Sequence, residues 1–200
     1  MSEKVLVPPD HTVPTAFTRA QLDWLPWLEP LAVEAMTARH LASLVDAARV
    51  KSPYFRLLAR DPDALEARTR TDKDIFYNPD AGLPRAEREL AAAATSRFNG
   101  CLYCASVHAR HAATYSKREA DVQHLLDAGV TADLGERWNA IVAASVALTA
   151  TPSTFGPEQV DRLRRAGLDD LAISDVIHSA AFFNWANRLM LSLGEPAATV

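Results

Sequence analysis

Two cysteines, seven glycines and no surplus of positive charge in 200 residues remove several classes of protein at once. A chain so poor in cysteine is not a disulfide-stapled scaffold. Its length is enough to bury a core in one domain, or in one built from two similar halves, without covalent help. The glycines are scattered at turns and form no glycine-rich phosphate loop, so nucleotide or flavin binding has no support and no cofactor is expected. Lys and Arg number 21 against 25 Asp and Glu, a net charge of -4 with no basic stripe, which argues against nucleic acid as a partner. Hydrophobic residues at 48% and charged residues at 23% are ordinary for a globular chain and argue against long disorder.

Long apolar runs are missing as well. The longest nearly uncharged stretch, Trp138 to Phe155, is broken by Asn139, Ser145, Thr149, Thr151 and Pro152 and falls short of a membrane span. Met1 to Pro14 is polar, carries Pro8, Pro9 and Pro14, and lacks the apolar segment of a secretory signal. The expectation is a cytoplasmic protein with no membrane partner. In that compartment a close cysteine pair points to catalysis or metal binding rather than to a structural disulfide.

Strand signals are scarce, whereas runs of Ala, Leu, Glu and Arg at helical spacing recur throughout, which predicts an all-α fold. Thr18-Arg-Ala-Gln21 has the form of a capping box opening a short helix limited by Pro26 and Pro30, and Leu31 to Val50 reads as a longer helix. Ser52-Pro53 and Asp61-Pro62 each place a cap residue before a proline, so two more helical pieces follow, and Asn78 to Gly82 is a turn-rich linker. Arg85 to Phe98 is a helix ended by Asn99-Gly100, after which Cys101 opens the next, to about Tyr115. Ser116 to Glu119 starts a helix that Gly129 closes, and Asp133 to Thr149 is a long apolar one stopped by Pro152. Gly156-Pro157 and Gly167 bracket a charged helix, and Asp169 to Leu193 is the last. An Ala-rich helix, a turn and a helix occur around Glu89 to Arg110 and again, without cysteine, around Trp138 to Arg188, a weak internal duplication.

Both cysteines fall in Cys101-Leu-Tyr-Cys104-Ala-Ser-Val-His108. Spacings of three and four put the two sulfurs and the imidazole on one helical face. A thiol is nucleophilic only as thiolate, and its ordinary pKa of roughly 8.5 falls at a helix amino terminus or beside an imidazolium. The helix dipole favours Cys101 and the imidazole favours Cys104, and spacing alone does not choose between them. Such a pair can reduce a peroxide: one thiolate takes an oxygen as sulfenic acid and the other thiol displaces hydroxide to close a disulfide. Proton traffic in both steps calls for a base and a relay. His108 is the candidate relay, and Glu89, twelve residues before Cys101, lies on the preceding helix and can fold back beside it.

His111 continues the helical spacing, which raises a Cys2His2 metal site. Four ligands strung along one straight helix span about 15 Å and cannot converge on a tetrahedral ion. No metal is therefore expected, and His111 reads as a packing or surface residue. His40, His124 and His178 read as structural. Trp24, Trp27, Trp138 and Trp185 read as core or subunit-interface anchors, with Trp24 and Trp27 the candidates for interchain packing. Phe182-Phe183-Asn184-Trp185-Ala186-Asn187 is an apolar helical stretch whose two amides need partners if buried; capping and packing of the last helix is its default role.

Glu89, Ser96 to Cys104 and His108 together resemble the Glu-x11-CxxC-x3-His active-site pattern of the alkylhydroperoxidase AhpD and carboxymuconolactone decarboxylase-like superfamily. Phe182 to Leu189 resembles the carboxy-terminal segment of its peroxidase-related branch. The likeness spans residues 31 to 195, so residues 1–30 are set aside as an amino-terminal extension and 31–200 as the helical domain. The resemblance implies an AhpD-like helical fold assembled as a homo-oligomer, and a thiol-dependent peroxidase or disulfide oxidoreductase acting on hydrogen peroxide or organic hydroperoxides in antioxidant defence. It further implies that Cys104 attacks, Cys101 resolves, and Glu89 and His108 relay protons. An external dithiol, a lipoylated or thioredoxin-like protein, would regenerate the pair. AhpD itself has histidine between the cysteines where this chain has Tyr103. Lactone decarboxylation, and a non-enzymatic module that senses oxidants or holds zinc, are the competing functions.

Overall fold

Four consecutive alanines, Ala91 to Ala94, let helices approach the middle of the Arg85–Phe98 helix closely, and all four are fully buried. That segment is the axis of the molecule. The computed structural model describes residues 5–8 and 10–199; of the stretch read from Met1 to Pro14, residues 1–4 and 9 lie outside the described residues. Among the described residues nine α-helices follow in order: α1 Ala38–Ser43, α2 Pro53–Leu58, α3 Pro62–Tyr77, α4 Arg85–Phe98, α5 Leu102–Ser116, α6 Glu119–Ala128, α7 Glu136–Thr149, α8 Pro157–Arg165 and α9 Asp170–Leu193. The all-α class holds, and no described helix is long and apolar enough to cross a membrane.

Helix α4 packs on α5, α7 and α9. One apolar core, around Leu90, Leu125, Trp138, Ile141 and Val176, fills the side of α4 toward α6 and α7. A second, around Trp24, Tyr54, Phe76, Phe182, Phe183 and Met190, fills the side toward α2, α3 and α9, and both cysteines belong to it.

The sequence expectations fail mainly before residue 52. The helix expected after Thr18 is absent. The Thr18 hydroxyl accepts from the Ala20 amide at 3.0 Å to close a turn, and Leu22–Pro26 is a strand, β1. It pairs antiparallel with Gly194–Ala198, β2, with Trp24 opposite Pro196. Leu22 and Trp24 are buried and Asp23 is exposed, the period-2 pattern of a half-buried strand. Strand β1, within the segment read as an extension, thus joins the end of the chain to its beginning. The long helix expected over Leu31 to Val50 is broken into short 3-10 turns at Val33–Ala35 and Ala47–Lys51 with α1 between them. Thr37 and His40 cap α1 reciprocally, and Val45, at a φ of 60°, turns the chain in a conformation that a helix cannot continue through. Trp24, expected at a subunit contact, is instead buried within the chain, donating from Nε1 to the Met190 carbonyl at 3.3 Å.

Candidate active site

The junction between α4 and α5 is set by three backbone hydrogen bonds. Asn99 donates to Thr95 at 2.9 Å, Gly100 to Arg97 at 3.4 Å and Cys101 to Ser96 at 2.9 Å. Gly100 has a φ of 78°, so this is a glycine-closed helix end in which the Cys101 amide reaches back five residues. Cys101 is then the residue before α5, as the Asn99-Gly100 pair led one to expect. Cys104, in the first turn of α5, and His108, one turn further, follow on one face.

Both cysteines are buried free thiols. The Cys104 thiol hydrogen-bonds to Cys101, and the amides of Cys104 and Tyr103 at the helix start add to it; together they hold Cys101 below the ordinary thiol range against the effect of burial. The same hydrogen bond, donated by Cys104, and then burial push Cys104 well above that range. The pair behaves as one unit with a readily lost first proton and a firmly held second one.

Glu89 reaches the site from α4. Only 1% exposed, it accepts or shares a proton at 2.6 Å between its Oε2 and Nδ1 of His108, while its Oε1 accepts from Nε of Arg85 at 3.2 Å. Arg85 is itself held between two rings, 4.1 Å from the centroid of Tyr77 and 4.3 Å from that of Tyr115. The His108 ring lies edge-on to Phe183 at 3.9 Å and near Phe76 at 5.2 Å. A carboxylate at Nδ1 and rings on its flanks fix the imidazole and leave Nε2 for other chemistry.

Cys104, His108 and Glu89 line one cavity of about 200 Å³; Cys101 does not. Phe55, Phe76, Phe183, Val107 and Met190 give the cavity an apolar wall, and Tyr54, Arg68, Asp72, Tyr103 and His111 give it polar points. All four residues singled out from sequence therefore lie in one neighbourhood as two hydrogen-bonded pairs, Cys101 with Cys104 and Glu89 with His108. His111 is more than packing: it lines the cavity, stacks on Tyr115 with centroids 6.2 Å apart, and is held below its ordinary pKa by burial. No group of three or more His, Cys, Asp or Glu side chains among the described residues is arranged to hold a metal ion.

Three contributors escaped the sequence reading. Asn187, fully buried on α9, donates to Ser96 Oγ at 3.0 Å and accepts from Asn99 Nδ2 at 3.1 Å, and its amide also favours the Cys104 thiolate. Asn99 in turn donates to Asn184 at 3.1 Å, so both amides of the Phe182 to Asn187 stretch tie α9 to the α4–α5 junction. The need of those amides for partners was visible; their nearness to the thiols was not. Tyr54 and Arg68 reach the cavity from α2 and α3, with no spacing signal that relates them to Cys104.

The chain is a mainly helical protein with a buried CxxC dithiol at a helix junction and a hydrogen-bonded carboxylate and imidazole beside it. The carboxymuconolactone decarboxylase family matches residues 62–147, which include Glu89, Cys101, Cys104 and His108. The fold is similar to that of an AhpD-core, uncharacterized peroxidase-related protein from Ralstonia eutropha JMP134 (TM-score 0.69, 23% identity, covering 82% of this chain and 87% of that one). It is also similar to an uncharacterized peroxidase-related protein from Silicibacter sp. TM1040 (TM-score 0.63, 24% identity, 72% and 75% covered) and to the debrominase Bmp8 (TM-score 0.66, 19% identity, 82% and 88% covered). No protein with a curated description matches the chain. The chain is thus similar to the AhpD and carboxymuconolactone decarboxylase-like superfamily in the family-matched segment and in its fold.

Proposed function

We propose that the chain is a thiol-dependent peroxidase that reduces hydrogen peroxide or organic hydroperoxides with the Cys101 and Cys104 pair, in the cytoplasm and as a homo-oligomer. The observation that carries this reading is the sharing of one cavity by Cys104 and the Glu89–His108 pair. Cys104 holds its proton firmly in the resting dithiol, so attack from this sulfur requires a base, and His108 Nε2 is the base the cavity offers. His108 takes the Cys104 proton, and the thiolate attacks the terminal peroxide oxygen. The O–O bond breaks, Cys104 becomes a sulfenic acid, and the departing alkoxide takes the proton from His108 to leave as an alcohol. The Cys101 sulfur then attacks Cys104, hydroxide leaves and collects the remaining proton as water, and a disulfide closes. The two electrons lost by the thiols are those gained by the peroxide. An external dithiol, such as a lipoylated or thioredoxin-like protein, returns the pair to the reduced form.

One equivalent of hydroperoxide should lower the mass by two hydrogens, assigned by peptide mapping to a Cys101 to Cys104 disulfide. Cys104→Ser should abolish hydroperoxide consumption, while Cys101→Ser should stop after one turnover with a trapped sulfenic acid. Consumption by Cys104→Ser at the parent rate would move the attack to Cys101. A second reading draws on the aromatic wall and on Bmp8, which is named a debrominase and is known in complex with 2,3,4-tribromopyrrole. By that reading the same dithiol reduces a halogenated ring, and bromide release with no hydroperoxide turnover would favour it.

A further inference from the structure

Two polar side chains on the cavity wall have no part in that chemistry. Tyr54 and Arg68 are 7% and 9% exposed. Among the described residues the Tyr54 hydroxyl has no hydrogen-bond partner, and neither has Nε of Arg68. Arg68 Nη1 donates to Asp72 Oδ2 at 3.3 Å, but Arg49 Nη2 claims the same oxygen at 3.4 Å, and Arg49 Nη1 has no partner either. Two guanidinium groups thus share one carboxylate in a mostly buried place, otherwise resting over the Phe55 and Phe182 rings, so among the described residues one positive charge has no carboxylate of its own. The other ionic pair on the wall, Arg85 with Glu89, is satisfied within itself.

All three unpartnered atoms are donors. Burial keeps the Tyr54 phenol protonated far above its ordinary range, so its hydroxyl stays a donor at any ordinary pH. Donors without acceptors, beside a surplus cation, are costly when buried, and an anionic oxygen ligand relieves both defects together. Next to them Phe55, Phe76, Phe183 and Met190 form a wall for an apolar body. Apolar cavities of about 150 Å³ hold a benzene ring, so about 200 Å³ accepts one ring or a short chain with its anionic group.

We propose that Tyr54 and Arg68 form a carboxylate-binding pole, and that the cavity takes a small organic acid whose apolar body lies against Phe55, Phe76 and Phe183. Resting on the peroxidase reading, this makes the substrate class a carboxylate-bearing organic hydroperoxide. Besides Asp72, Arg68 also faces Cys104, whose thiolate form a serine at that position removes.

The test is calorimetric titration of benzoate and of its neutral isostere benzamide into Cys104→Ser protein. Benzoate should bind about tenfold or more tightly than benzamide. Adding Arg68→Gln should erase that preference by weakening benzoate alone. Tyr54→Phe keeps the ring against Trp24 and Phe55 and should weaken benzoate several-fold, which decides the matter if Arg68→Gln does not fold. Equal affinities for the two probes, absence of benzoate binding, or benzoate binding indifferent to both substitutions would each overturn the proposal. Binding needs no turnover, so a chain that binds benzoate and spares every hydroperoxide overturns the peroxidase reading alone. A working peroxidase that ignores benzoate overturns the carboxylate pole alone.

Discussion

The imidazole of His108 is held by the Glu89 carboxylate at 2.6 Å and by the rings of Phe183 and Phe76. A carboxylate at Nδ1 selects the tautomer with its proton there and leaves Nε2 as an acceptor, which is the form a base needs. Glu89→Gln preserves shape but lets an amide N–H or an amide oxygen face the ring, and it removes the negative charge opposite Arg85. Hydroperoxide turnover under excess dithiol should fall by about 10- to 100-fold, with the far-ultraviolet circular dichroism unchanged. Retention of parental turnover would remove Glu89 from the relay. The nearness of Glu89 and His108 to the cysteines was foreshadowed by sequence through their spacing. Arg85, four residues before Glu89, was equally legible as an i,i+4 pair but carried no sign that two tyrosine rings would clamp it.

Helix α4, the Gly100 turn and α5 act as one element, because the Cys101 amide closes the end of the first helix while its residue begins the second. A Cβ at Gly100 would meet open space, so the cost of Gly100→Ala lies in the backbone, at a φ of 78° that L side chains adopt with strain. That strain is about 1–2 kcal/mol. The variant should lose this much stability in urea unfolding, and its cysteines should be alkylated faster in the native state as the turn opens more often. Unchanged alkylation would show that the thiols do not depend on the junction. Asn99-Gly100 was readable as a helix end because caps are encoded within a few residues. The short elements before residue 52 were not, since Thr18 and Leu31 to Val50 satisfy helical patterns that tertiary contacts override. Pairing of β1 with β2 joins residues more than 160 positions apart, and two five-residue strands have little local signature of their own.

Across the whole molecule, stability and the cavity are in tension at Tyr54. Burying a phenol hydroxyl without a partner costs about 1–3 kcal/mol, and Tyr54→Phe should therefore raise stability by about 1 kcal/mol at neutral pH. The pH dependence has a definite sign. Above about pH 10 the unfolded chain releases the Tyr54 proton and the native state keeps it, so the native state binds more protons and loses stability as pH rises. The gap between variant and parent should widen in urea unfolding at pH 10.5 compared with pH 7. A constant gap would show that Tyr54 titrates normally in the fold.

The sequence by itself determined the helical class, the approximate placing of the helices from Pro53 onward, with α7 beginning at Glu136 instead of Asp133, and the candidate set Glu89, Cys101, Cys104 and His108, since all of these are written in caps, periodicity and separations of a few turns. Tertiary structure decided which sulfur lines the cavity, that Asn187 braces the junction from 88 residues beyond Asn99, and that Tyr54 and Arg68 bring unpaired donors to the same space. The physical reason is distance along the chain. A helix reports its own face through neighbours three and four residues apart, whereas a cavity is made by side chains of separate elements whose meeting depends on how α2, α3, α5 and α9 pack.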